Sequence, residues 1–203
     1  MSKNTIIVFE GIEGSGKSLH IRNVSNYLKK KRIKFIKLRE PGGTNNSEKI
    51  RRLILNKKNK FSKNTDLLLY LAARSENIEN IIKINKKKII LIDRFIDSTL
   101  AYQHYGMGIS KNLIHKINKF LLKKIKVDFT FLHTVTEKSL KNRLSKRPTL
   151  NRYDMFKIKF YKKVQSGFIK IANSNKKKYL KINSNLPIQE NKKIIIKKIN
   201  TII

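Results

Sequence analysis

Residues 11–18, Gly11-Ile12-Glu13-Gly14-Ser15-Gly16-Lys17-Ser18, fill every fixed position of the phosphate-binding loop pattern G-x-x-x-x-G-K-[ST]. The flanks agree with the loop. Thr5-Ile6-Ile7-Val8-Phe9 before it is an apolar run of strand length, and Ile21, Val24 and Leu28 recur at helical spacing after it. In such a turn successive backbone N–H groups curl around a phosphate along a path that Cβ atoms would obstruct, and the helix that follows presents its positive end. Gly11, Gly14 and Gly16 permit that path, with Ile12, Glu13 and Ser15 between them. Lys17 supplies a point charge for β- and γ-phosphates, and the Ser18 hydroxyl is the expected ligand of a bridging Mg²⁺. The pattern implies a nucleoside polyphosphate ligand. A turn that merely joined a strand to a helix would not need the Lys-Ser pair and both flanks at once.

Strand-like apolar runs recur at 5–9, 35–38, 89–92, 129–133 and 179–182, with helical periodicity between them at 66–84, at 113–122 with Leu113, Ile117 and Leu121 on one face, and at 156–171. This alternation predicts an α/β fold around a mainly parallel, five-stranded central sheet flanked by helices. No internal repeat interrupts it, and 203 residues suit a single domain, 1–203. In such sheets ligands sit beyond the carboxyl ends of the strands, so the residues just after each strand carry the chemistry.

Composition limits the partners. Cysteine is absent, which excludes disulfides and thiolate metal sites. No apolar run approaches the ~20 residues of a membrane span, and no signal peptide is evident, so a cytoplasmic location is expected. The net charge of +35, from 48 Lys and Arg against 13 Asp and Glu, would ordinarily suggest nucleic acid. Here the excess is mostly Lys, in runs such as 29–31, 86–88 and 176–178, alongside abundant Asn and Ile. That is the signature of an AT-biased genome acting on tolerant surface positions, and the interleaved aromatics of a base-stacking platform are not obvious. No specific nucleic-acid partner is expected. The histidines at 20, 104, 115 and 133 show no ligand spacing.

After the second run, Arg39-Glu40-Pro41-Gly42-Gly43-Thr44 is a tight loop with Arg39 at its entrance, where a guanidinium would hold a phosphate; a plain turn is the alternative. After the third, Asp93 is a candidate partner of Mg²⁺ and Arg94 a second anion clamp, against a simple surface ion pair. Tyr70 and Arg74 share a helix face and would stack on and donate to a base, or belong to an amphipathic core helix. The segment 143–152, basic and broken by Pro148, reads as a flap over phosphates or a charged loop.

Taken together, these segments resemble the bacterial thymidylate kinase family across nearly the whole chain. The telling pieces are Phe9-Glu10-Gly11, the run 39–44, Ala72-Ala73-Arg74, and Asp93-Arg94-Phe95 with Ser98, Ala101, Tyr102 and Gln103. The resemblance implies a nucleoside-monophosphate-kinase-like three-layer fold, transfer of the γ-phosphoryl of Mg-ATP to dTMP, and a homodimer packed through helices. It assigns Arg39 and Arg94 to the acceptor phosphate, Tyr70, Arg74 and Thr99 to thymine, and Tyr102 to the deoxyribose. Ser98 and Gln103 belong to the same acceptor site, Glu10 lies near the sugar 3′-hydroxyl, and Arg143 packs on adenine. Ser15 stands where some members carry a loop arginine, so catalytic charge is expected from Lys146, Arg147 and Arg152 of a mobile lid, 144–156. The chain departs from the family at Asn151-Arg152-Tyr153-Asp154, where the lid usually reads Asp-Arg-x-Glu, and at His133-Thr134, Gln165, Phe168 and His104. Competing readings are another P-loop kinase with a different acceptor, and a basic nucleic-acid-binding protein using ATP as a regulatory ligand.

Overall fold

The computed structural model describes residues 4–85 and 87–203; Met1 to Lys3 and Lys86, which falls in one of the lysine runs, lie outside it. In chain order the elements are β1 (Thr5–Glu10), α1 (Lys17–Lys30), β2 (Phe35–Arg39), α2 (Asn45–Leu55), α3 (Lys63–Asn77), β3 (Ile89–Asp93) and α4 (Ile96–Thr99). They continue with α5 (Lys111–Leu122), β4 (Phe129–Thr134), α6 (Glu137–Ser145), α7 (Ile158–Ser174), β5 (Tyr179–Asn183) and α8 (Ile188–Asn200). The strands form one five-stranded sheet in the order β2-β3-β1-β4-β5, all pairs parallel.

Each strand extends one residue past its apolar run, to Glu10, Arg39, Asp93, Thr134 and Asn183. The backbone ladder continues there through a polar side chain, which hydrophobicity alone cannot register. These terminal polar residues are brought level by the register: Arg39 pairs with Asp93, and Asp93 with Phe9, next to Glu10. Motifs dozens of residues apart thereby meet at one edge of the sheet.

The period of two along β1 sorts its side chains into two layers. Ile7 and Phe9 join Val24 and Leu28 of α1 and Ile195 and Ile199 of α8. Ile6 and Val8 join Leu38, Ile90, Ile92, Ile78 and Ile82 on the opposite face. Burial on both faces is why the strands read as continuous apolar runs rather than alternating ones.

Two helical expectations shift. The helix expected over 66–84 is α-helical only to Asn77 and continues as a π-helical turn over Ile78–Ile82. In α5 the buried apolar side chain is Ile114, with Ile117 and Leu121 half-buried, whereas Leu113 faces solvent at 45% exposure. A stripe running Ile114, Ile117, Leu121 satisfies the helical period as well as one starting at Leu113. A second π-helical turn, Leu100–Gly106, follows α4 and carries Tyr102 and Gln103, a placement common near functional sites. None of the helices among the described residues is long and apolar enough to cross a membrane.

Candidate active site

The loop at 11–18 joins β1 to α1 beneath a cleft of about 850 Å³ at the carboxyl edge of the sheet. Gly11 has φ 138°, and a Cβ there would lie 2.3 Å from the His133 carbonyl oxygen. Glycine is therefore demanded by the close passage of β4 as well as by any phosphate. Lys17 Nζ donates to the carbonyls of Gly11 and Ile12, both at 2.8 Å, and to Ser15 Oγ at 3.2 Å. Only 6% exposed, its ammonium is pulled down to about 8 by burial first and then by Arg94, against the opposing charges of Asp93, Glu13 and Glu10. Ser18 Oγ donates to Asp93 Oδ2 at 2.9 Å, joining a hydroxyl to a carboxylate, the hard oxygen set that suits Mg²⁺.

Arg94 adopts φ 66°, a left-handed backbone uncommon for a non-glycine residue. Its Nη1 donates to Gly11 O at 2.8 Å and its Nη2 to Glu13 Oε1 at 2.9 Å, with the guanidinium 5.2 Å from the Tyr102 ring centroid. The Tyr102 hydroxyl donates to the other Glu13 oxygen. Burial would raise the Glu13 carboxyl, but Arg94 and then Lys17 hold it below the usual carboxylate range. Arg39 lines the cleft from β2 and is held against Glu48 at 3.0 Å.

Arg74 is 2% exposed. Its Nε donates to Glu40 at 2.8 Å, its Nη1 to Asn118 at 2.8 Å, and its Nη2 to both Phe95 O and Thr99 Oγ1 at 2.9 Å. All of the guanidinium's N–H groups but one, on Nη1, are thereby used by the protein. Tyr70, Ser98, Thr99, Tyr102 and Gln103 line the same cleft. Tyr70 and Tyr102 each meet Tyr153 edge-on, at 5.9 and 5.7 Å between centroids.

Several expected residues stand elsewhere. Glu10 is 1% exposed and lies under the cleft rather than on it. It accepts from Phe95 N at 2.8 Å, Ser98 N at 3.2 Å and Ser98 Oγ at 2.6 Å, so its carboxylate fixes the turn after β3; Glu13 is the carboxylate that reaches Arg94 and Tyr102. Arg143 bridges Gly14 O at 2.8 Å and Ser184 O at 2.6 Å, bracing the phosphate loop from α6 outside the cleft lining. Arg147 lines the cleft and pairs with Asp154. Arg152 does not line it; its Nε donates to Ile54 O at 2.8 Å and its Nη2 pairs with Asp66.

The departures at Asn151, Gln165 and Phe168 are absorbed locally. Asn151 accepts from Tyr153 N at 2.8 Å through its side-chain oxygen and donates from Nδ2 to Asp154 at 2.6 Å, closing the turn that a carboxylate would otherwise make. Gln165 bonds both N and O of Val135 at 3.0 Å, and Phe168 packs edge-on to Tyr102 at 6.2 Å. Sequence reasoning missed Arg51, which lines the cleft and donates to Pro41 O at 2.7 Å, and Glu40, the buried partner of Arg74. Arg51 sits in an exposed-looking basic stretch of α2, while Glu40 lies inside the run 39–44, where a lone carboxylate beside Arg39 is the signal for a buried counter-charge.

A family model described as thymidylate kinase matches residues 9–195. The chain belongs to the thymidylate kinase family. Among curated members, the thymidylate kinase of Clostridium novyi (strain NT) is 40% identical over 196 residues, covering 94% of this chain and 95% of that one. The thymidylate kinase of Sulfurihydrogenibium sp. (strain YO3AOP1) is 39% identical, with 94% of both chains covered. The crystal structure of thymidylate kinase from Ehrlichia chaffeensis superposes with a TM-score of 0.79 at 33% identity, covering 98% of this chain and 99% of that one. The family likeness therefore spans the whole sheet and its cleft, and the resemblance drawn from the motifs holds at the level of fold and family.

Proposed function

We propose that this chain transfers the γ-phosphoryl group of ATP to dTMP, giving dTDP and ADP. The observation that carries the reading is the convergence, in one cleft, of a phosphate loop with Lys17, two further arginines at strand ends and an aromatic pocket closed by Arg74. A phosphate monoester has a second pKa near ~6, so the attacking oxygen of dTMP is anionic at neutral pH and no general base is needed. The new bond joins that oxygen to Pγ as the bond from Pγ to the β,γ-bridging oxygen breaks, leaving ADP with the electron pair. What the protein must supply is alignment and positive charge on the equatorial oxygens.

Lys17 and the N–H groups of 13–18 hold the donor phosphates, while Arg39 and Arg94 hold the acceptor phosphate. Tyr70 stacks on thymine, the spare Nη1 N–H of Arg74 donates to a base carbonyl, and Tyr102 lies under a deoxyribose. Ser98, Thr99 and Gln103 complete the acceptor wall. Ser18 and Asp93 would hold Mg²⁺, which neutralises phosphate charge when bound. Segment 144–156 acts as the lid, with Arg147 its phosphate-facing cation. Leu68, Leu113 and Phe120, at 59%, 45% and 73% exposure on α3 and α5, support a homodimer packed through these helices, and a cytoplasmic setting belongs to the same reading.

The test is ADP release with Mg-ATP and, side by side, dTMP, dUMP, dCMP, dGMP, AMP and thymidine. Turnover with dTMP well above every other acceptor is expected. Turnover confined to another acceptor would overturn the base-pocket assignment while leaving the phosphate cradle intact.

A pH dependence follows from Lys17. Its charged form holds the phosphates, and in the free protein it is lost as pH rises through about 8. We expect kcat/KM for ATP to fall above that pH, because this parameter reports free-enzyme ionisations. At saturating ATP the bound phosphates favour the ammonium, so the limb in kcat should move to higher pH. Identical limbs in both profiles would show that a group other than Lys17 titrates.

A further inference from the structure

We infer that Asp66, a residue outside the binding machinery described above, is a positioning residue that latches the lid to the helix bearing Tyr70 and Arg74; the inference rests on the dTMP kinase reading. Asp66 lies in the first turn of α3, one and two turns before Tyr70 and Arg74 on the same helix face. It is 1% exposed, a carboxylate that folding would not bury without partners. Both partners come from the lid: Arg152 pairs with one oxygen and the Tyr153 hydroxyl donates to the other.

The lid residues are committed to this place by further contacts. Arg152 donates through its backbone N–H to Leu55 O at 3.1 Å and through Nε to Ile54 O at 2.8 Å, and its guanidinium lies 5.3 Å from the Phe61 ring centroid. These bonds stitch the lid across the α2–α3 connection. Tyr153, 3% exposed, is at once a ligand of the latch and a wall of the cleft. Its ring meets Tyr70 and Tyr102, and its hydroxyl accepts from Gln103 Nε2 at 3.4 Å. Asp66 therefore fixes a lid side chain that meets both Tyr70 and Tyr102, the residues assigned above to base and sugar. Among the described residues, no hydrogen bond or ion pair joins Asp66 to the donor side of the cleft at 13–18. Lid closure and formation of the acceptor pocket become one event, and Arg152 serves the pocket through Asp66 while Arg147 faces the phosphates.

The experiment is steady-state kinetics together with amide hydrogen exchange on full-length Asp66→Asn, Asp66→Glu, Tyr153→Phe and Arg152→Met proteins and the Asp66→Asn/Arg152→Met double variant. Asp66→Asn should raise KM for dTMP about tenfold and leave KM for ATP within about twofold. Exchange over 146–156 should speed up about tenfold, with the sheet unchanged. Asp66→Glu should recover most of the loss. Tyr153→Phe keeps the ring and removes the hydroxyl, and should raise KM for dTMP in the same direction to a smaller extent. The double variant should be no worse than the more impaired single one, the mark of one shared interaction. Unchanged KM for dTMP with unchanged lid exchange would overturn the latch. So would parallel rises in both KM values with faster exchange through the sheet, which is what a merely structural carboxylate would give. Wild-type protein inert toward dTMP would instead overturn the function reading.

Discussion

Replacing Lys17 by alanine is expected to lower kcat by about a thousandfold or more while leaving the melting temperature unchanged within a few degrees. The two halves of this expectation have different physical origins. Removing a preorganised cation from charge that develops in the transition state costs ~3–4 kcal/mol in water-excluded sites; Lys17 is 6% exposed, and in the proposed reaction it carries the phosphate charge. For folding, the same burial is a penalty. The folded-state pKa of about 8 lies below that of an unfolded lysine, so the cost of holding the charged form is fully present below pH 8 and is relieved as pH rises toward the unfolded value. Alanine abolishes that cost and leaves Gly11 O, Ile12 O and Ser15 Oγ short of one donor. The two effects oppose each other and nearly cancel. Kinetics at saturating ATP and dTMP, with a thermal melt of the same preparation, checks both halves. A melting temperature that collapses with kcat would show that Lys17 is a structural keystone of the loop as well as a phosphate ligand.

How far the sequence discloses this site depends on whether a residue's task is local. The phosphate loop is read directly because strand, turn, Lys17, Ser18 and helix are contiguous, and the requirements of each are written in its own neighbours. The parallel sheet is equally visible, since strands buried on both faces must be apolar throughout. Residues whose partners come from distant segments are not. Glu10 sits beside the loop in sequence, but the Phe95 and Ser98 groups that claim its carboxylate arrive only through the pairing of β1 with β3. Glu13 is drawn toward Arg94 and Tyr102 by the same fold. Arg152 looks like one more cation of a basic lid until the α2–α3 connection brings Ile54 O and Asp66 against it. The motif grammar thus identifies the set of functional segments, whereas the division between residues that touch a ligand and residues that hold those in place is decided by long-range pairing.

Arg74 concentrates that division in a single side chain, and Arg74→Met should be the most destabilising substitution in the acceptor site. Its guanidinium satisfies Glu40, Asn118, Phe95 O and Thr99, so methionine of similar length removes the charge and every one of these donors together. Glu40 is 5% exposed, and burial already pushes its carboxyl upward against the opposing charge of Arg74. Breaking a buried pair by deleting one member costs ~3–5 kcal/mol, because the survivor is left uncompensated. For a chain of this size that corresponds to a drop of roughly 10 °C in melting temperature. Adding Glu40→Gln should restore much of the stability, since a neutral amide no longer needs a counter-ion. On the proposed role of the spare Nη1 N–H as a donor to the base, it should restore none of the dTMP affinity, since that N–H is still missing. Thermal melts and KM for dTMP on the single and double variants separate the two roles. Recovery of both together would mean that Arg74 serves the acceptor only by keeping the pocket folded; recovery of stability alone would leave its direct donation to the base as the part that Glu40 merely holds in aim.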